Sequence, residues 1–255
     1  MKQLKVFIIC SLLASSLYAA DDGNQSTFIG RARSAIASKD QSTMDEQLRL
    51  LASFSDSDVC EAMQLLLDAG ANGAYAKTWT QEDFFGPQKW AETPLITAAL
   101  TAPENIRVLR EWSESHENTI DPNDGGNQSF DCSLLGRVIT QPTAHSTVFK
   151  KVLAVQALLQ FSHIEVDKKS KYSQTPLFHA VENSIMRGQE QHFESHFGIV
   201  KLLVEHGAEV TGRMIEKVQA AKEKLSSDHH QQLDHHQQLI EALSPGSAIK
   251  AARKQ

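Results

Sequence analysis

Two histidines, His192 and His196, stand four residues apart, the spacing that brings both imidazoles to one face of a helix, with Glu194 between them. A helical zinc hydrolase needs its glutamate directly after the first histidine and a third ligand from elsewhere. Here Phe193 takes that place, and the pair reads as solvated side chains. His229-His230 and His235-His236 recur within a near-duplicate His-His-Gln-Gln-Leu. Their six-residue step leaves the second pair about 120° short of two full helical turns, which splays the four rings. The expected role is a polar helix face with Leu233 and Leu239 turned inward. The run Asp121-Pro122-Asn123-Asp124-Gly125-Gly126 has the look of a calcium loop, but Gly125 and Cys132 fall at its fifth and twelfth positions, where oxygen ligands belong. It reads as a turn-rich connection. Cys132 could have a lowered pKa at a helix start, and Cys60, in helical register with Met63 and Leu67, reads as core filling; neither carries a thiol-enzyme signature. No phosphate-cradling glycine loop or nucleophile elbow occurs. The expectation is no catalytic residue, no metal and no cofactor.

The elements that would carry these side chains repeat. Leu65-Leu66-Leu67-Asp68-Ala69-Gly70-Ala71 matches Leu202-Leu203-Val204-Glu205-His206-Gly207-Ala208. In each, apolar residues at helical spacing (Met63, Leu66, Leu67; Ile199, Leu202, Leu203) stop at a glycine suited to a left-handed helix end. A second match aligns Glu92-Thr93-Pro94-Leu95-Ile96-Thr97-Ala98-Ala99 with Gln174-Thr175-Pro176-Leu177-Phe178-His179-Ala180-Val181. Threonine can cap free amides, proline fits the first turn, and alanine lets a neighbouring helix approach.

These residues resemble the ankyrin repeat, with its Thr-Pro-Leu-His-x-Ala-Ala start and Leu-Leu-x-x-Gly-Ala end; Tyr172 to Val210 carries both halves. The other copies are worn. The first has Met44 to Ala52 as inner and Val59 to Ala69 as outer helix, and the second runs from Thr93 to Trp112 without a glycine end. In the third, Ser133-Leu134-Leu135 stands where Pro-Leu-His would be, Arg137 falls at a small-alanine position, and His163 takes the glycine position. Either the helices splay at Arg137 or the register differs. Leu95, Leu134 and Leu177 are 39 and 43 residues apart, against about 33 for the standard unit. Inserted loops account for the excess.

The resemblance implies an all-α solenoid of about four to five helix pairs with long inter-repeat loops, armadillo-like or other helical-pair solenoids being the alternative. The divisions are 1–20, a signal peptide; 21–42, a lead-in; 43–210, the repeats; 211–243, two capping helices with a polar outer face; and 244–255, a flexible tail. Lys2 and Lys5 precede the apolar run Val6 to Leu13, and small residues lead to Ala19-Ala20. The expectation is export, to the periplasm or beyond, after cleavage near Ala20. Removing that segment lowers Lys+Arg from 25 to 23 against 31 acidic residues, a net charge of −8 that disfavours nucleic acid. No later segment has the uncharged apolar length of a membrane span.

The insert from Tyr75 to Trp90 holds five of the chain's seventeen aromatics: Tyr75, Trp79, Phe84, Phe85 and Trp90. Long loops in compact arrays tend to be functional, and aromatic side chains are strong interface anchors. Equally, these rings could fold back over the first repeat. By alignment, family members bind through positions that here are Thr97, Leu100 and Thr101, and His179, Glu182 and Asn183. The reading is a non-enzymatic, monomeric scaffold for an unknown protein partner; the alternatives are a metal-dependent or thiol enzyme using His192, His196 or Cys132, and a purely structural envelope protein.

Overall fold

The computed structural model describes residues 27–83, 86–117, 119–126, 133–141, 148–186, 190–225 and 230–244. In chain order the elements are α1 (Phe28–Ser38), α2 (Gln41–Leu51), α3 (Ser57–Asp68), β1 (Lys77–Asp83), β2 (Gly86–Glu92), α4 (Pro94–Thr101), a 3₁₀ turn (Pro103–Asn105) and α5 (Ile106–Ser115). There follow α6 (Leu134–Thr140), α7 (Val148–Leu158), α8 (Pro176–Met186), α9 (Glu190–Glu205), α10 (Gly212–Glu223) and α11 (His230–Ala242). The chain is thus mostly helical, with one small two-stranded sheet among the described residues.

Four of these helices, α1, α4, α6 and α8, begin with one device, in α1 the Thr27 hydroxyl accepting the Gly30 N–H at 3.1 Å. The hydroxyl of Thr93 accepts the Ile96 N–H at 3.2 Å, that of Ser133 the Gly136 N–H at 3.1 Å, and that of Thr175 the Phe178 N–H at 3.2 Å. Each cap satisfies a donor that the first turn leaves without a helical partner. The caps also correct the register of the third copy by one residue. Ser133 corresponds to Thr93 and Thr175, so Arg137 corresponds to Thr97 and His179, and it occupies no small-alanine position.

Two helices end alike as well. Gly70 and Gly207 adopt φ of +97° and +85°. Their N–H groups bond to Leu67 O and Val204 O, and the following alanines reach back to Leu66 O and Leu203 O. This is the six-to-one, five-to-two closure that a left-handed glycine permits. His163 does not stand in such a position, and that expectation is corrected: the chain leaves α7 through tight turns, Gln160 N to Ala157 O and Phe161 N to Leu158 O. Phe161, 2% exposed, plugs the turn with its ring.

The helices pack as pairs: α2 with α3, α4 with α5, α6 with α7, α8 with α9, and α10 with α11. Along one layer α2, α4, α6, α8 and α10 touch in sequence, and along the other α3, α5, α7, α9 and α11 do the same. Each pair therefore buries its apolar stripe mainly against its neighbours, and one continuous core results, through Leu48, Leu66, Leu95, Ile106, Leu135, Val155, Leu177 and Leu203. The lead-in holds a helix, α1, that lies on α3 and α2 through the buried Ala32 and Ala35. It supplies cover that the sequence reading had offered to the aromatic insert.

Buried polar side chains stitch the turns. Asn105, fully buried, donates to Ala52 O at 3.2 Å and Phe54 O at 2.8 Å. Lys151 donates to Ile139 O at 3.0 Å and Gln141 O at 2.5 Å. Successive connections are joined at a constant interval: Asn123 Oδ1 accepts from Glu165 N at 2.7 Å, and the Asp167 carboxylate accepts from Glu209 N at 3.0 Å. Such bonds leave few turn carbonyls and amides orphaned, as a buried connection requires.

Candidate binding face

The aromatic insert is not an irregular loop. β1 and β2 pair antiparallel, with Trp79 opposite Trp90 and Lys77 opposite Glu92. Because strand side chains alternate, these four residues share one face of the ribbon. Phe84 and Phe85 lie outside the described residues.

Charge anchors the root of the hairpin. Arg49, on α2, donates to Glu46 at 2.9 Å and to Glu92 at 2.9 Å, and Lys77 Nζ lies 2.8 Å from Glu46. The bond from Arg49, aided by Lys77, holds the Glu46 carboxyl down to about 2. Burial opposes the Arg49 charge, but the bond from Glu46 and the attraction of Glu92 outweigh it and raise its pKa. A planar guanidinium suits this role, since it can reach two carboxylates at once.

Higher on the ribbon, the connection after α5 closes against β2. Ala91 N donates to Gly126 O at 2.6 Å. Gly126 has φ of +71°, and a Cβ there would sit 2.2 Å from Ala91 O, so only glycine fits. The preceding carboxylates make turns: Asp121 accepts from Asn123 N at 2.8 Å and Asp124 from Gly126 N at 2.7 Å. From α6, Arg137 donates to Gly125 O at 2.5 Å, and its guanidinium lies 5.2 Å from the centre of the Trp90 ring. Trp90 is half-buried beneath that cation, while Trp79 is 40% exposed. The two tryptophans thus differ in degree: Trp90 seats the ribbon, and Trp79, beside it on the same face, keeps more of its ring open to solvent.

The other expected positions fare unequally. Thr97 is 4% exposed, because α4 is short and packed by α2, α5, α6 and α7; its place on an open surface is corrected. Leu100 is half-buried and Thr101 exposed, the Thr101 hydroxyl donating to Thr97 O at 2.6 Å. His179 is half-buried, edge-on to Phe178, and burial holds its imidazole below the usual histidine range against the opposing pull of Glu182. Glu182 pairs with Lys217 of α10, and Asn183 donates to Ile139 O of α6 at 3.1 Å. These two residues hold successive pairs together.

The residues weighed for metal or thiol chemistry take up packing roles where they are described. His196 is 1% exposed, a core residue and not a solvated one. The His192 side chain and Cys132 lie outside the described residues. His235 stacks on Phe193 with ring centres 3.8 Å apart, and His236 is 7% exposed with Nδ1 bonded to Gln232 O at 2.6 Å. For these two the expected polar face is corrected, because helix rotation turns both toward α9 and α10, whereas His230 is exposed as expected and His229 lies outside the described residues. Leu239 is fully buried as expected, and Leu233 half-buried. Cys60 is half-buried, its thiol donating to Asn105 Oδ1 at 3.4 Å, and burial pushes its pKa up. That is the opposite of an activated nucleophile.

Sequence reasoning missed Arg137 and the Glu46-Arg49-Lys77-Glu92 cluster. For Arg137 the signal existed: it stands four residues after its cap Ser133, as Thr97 follows Thr93 and His179 follows Thr175. The cluster joins residues 43 positions apart and had no local signal. Among the described residues no helix is long and apolar enough to cross a membrane. The chain matches no protein-family model, and no curated protein aligns with it significantly.

Proposed function

We propose that the protein is an ankyrin-type, non-enzymatic scaffold that captures a protein partner with the clamped hairpin and the adjoining inner-layer surface. The observation that carries this reading is the contrast between the two tryptophans: a ribbon seated through Trp90, Arg137 and the Arg49 cluster presents Trp79, 40% exposed, beside the half-buried Trp90. An aromatic ring fixed before contact loses little conformational freedom on binding, which is how a preorganised surface gains affinity. The layered helix pairs, the shared caps and the stitched connections support a stiff platform of the ankyrin kind. The composition of residues 1–20 supports export, and the excess of acidic residues supports a partner other than nucleic acid.

The test compares the native chain with Trp79→Ala in quantitative capture from the periplasmic or extracellular fraction, alongside thermal melting. Loss of a specific captured protein by the variant, with an unchanged melting temperature, is expected. Equal capture, or a collapse in melting temperature, overturns the role of Trp79. Metal analysis of tag-free protein addresses the enzymatic alternative: a stoichiometric, tightly held ion would overturn the scaffold reading. N-terminal sequencing of native protein should begin near Asp21.

A further inference from the structure

The last two helix pairs border a half-open pocket of about 370 Å³. It lies at the end where the first helix of each pair turns into the second, lined by Ser184 and Ile185 of α8, Phe193 of α9, the later half of α10 and the start of α11. Its existence follows from small side chains. Ala220 and Ala221 face a gap where a repeat with larger residues would fill it.

The lining is chemically one-sided. Lys217, Lys224, His235 and His236 contribute to it, together with Gln232, and among the described residues no aspartate or glutamate lines it. This concentration of basic groups occurs in a chain of net charge −6. Lys217 is neutralised by Glu182, but Lys224 makes no ion pair among the described residues. Lys224 also stands at the C-terminal cap of α10, where free carbonyls favour a cation. Phe193, Ile185 and Leu225 complete the lining. Phe193 is itself buried, its ring covered by His235 with centres 3.8 Å apart and by Phe197, so the apolar surface open to a ligand is that of Ile185 and Leu225. Volume and lining both suit a small ligand, not a peptide segment.

We infer that this pocket is a binding site for a small organic anion, a carboxylate carrying an aromatic or branched apolar group, with Lys224 and the α11 imidazoles on the carboxylate and Ile185 and Leu225 on the apolar part. The site is separate from the hairpin face and stands or falls apart from it.

The probe is 3-phenylpropionate, titrated into the purified chain while the His235 and His236 ring resonances are followed by NMR. Saturable shifts with a dissociation constant of roughly millimolar or tighter are expected for so small a ligand. The neutral amide, 3-phenylpropionamide, should bind about tenfold more weakly, and Lys224→Gln should weaken the carboxylate by a similar factor. Ala221→Phe, which fills the cavity, should abolish the shifts; circular dichroism melts check that both variants keep the fold. No saturable shift, equal binding of acid and amide, or unchanged affinity in Lys224→Gln overturns the proposal. Equal binding of inorganic phosphate overturns its apolar half.

Discussion

Arg137→Ala isolates the clamp that holds the hairpin against the helical stack. The wild-type guanidinium donates to Gly125 O at 2.5 Å and lies 5.2 Å from the Trp90 ring centre. A charge-assisted hydrogen bond contributes about 1.5–3 kcal/mol, and a cation over an aromatic ring roughly 0.5–2 kcal/mol. Arg137 is only half-buried, so water recovers part of the first term after truncation. The net loss is about 2 kcal/mol, a roughly 30-fold rise in the population of detached hairpin. The loss is local, because the Arg49 cluster at the ribbon's root and the helix pairs are untouched. Hydrogen exchange reads it directly through the amide of Ala91, which donates to Gly126 O. That amide should exchange roughly 30-fold faster in the variant, while those of α8 and α9 keep their wild-type rates. Arg137→Lys should fall between, since an ammonium keeps the charge but not the planar fork. Unchanged exchange at Ala91 would remove Arg137 from the clamp, and equal acceleration throughout the chain would show that the hairpin does not open on its own.

Gly126→Ala and Gly70→Ala form a contrast. Both glycines have positive φ, but a Cβ at Gly126 meets Ala91 O at 2.2 Å whereas at Gly70 nothing lies within 4 Å. The Gly70 variant should lose about 1 kcal/mol in urea unfolding, and the Gly126 variant more than about 2 kcal/mol or detach its loop, visible again at Ala91. Ser133→Ala should cost about 1 kcal/mol, like Thr93→Ala and Thr175→Ala; a neutral result would refute the shared cap and with it the register of Arg137. Glu46 tests the root of the hairpin by pH. Its folded pKa is depressed from 4.5 to about 2, so its contribution is complete above the unfolded value and disappears as pH falls through the folded one. Partial exposure screens this to roughly 1–2 kcal/mol. The stability difference between wild type and Glu46→Gln should therefore shrink between those two pH values, and a constant difference would show that Arg49 and Lys77 do not stabilise the charge.

Much of the helical framework was legible because its signals are local. Apolar spacing, a hydroxyl at a helix start and a glycine at its end act over one or two turns, and the helices around Thr175 and Gly207 lie where those signals put them. The third copy was misread by one residue because Ser133 lacks the proline that marks Thr93 and Thr175, although its hydroxyl caps equally well. Burial of Thr97 was invisible for another reason: it depends on four helices closing around α4, and no single segment encodes that.

The aromatic content and excess length of the segment before Thr93 could be read from sequence alone, as could the absence of an enzyme motif. Which tryptophan is seated and which is the more exposed was decided only by tertiary structure, through a cation on α6 and a glycine carbonyl that meet β2 from a later connection. The same holds for the histidines of α11, whose spacing suggested a wetted face until rotation against Phe193 turned two of them inward. Local propensity sets where helices start and stop; which side chains they bury depends on neighbours distant in sequence, because burial is a property of the assembled layers.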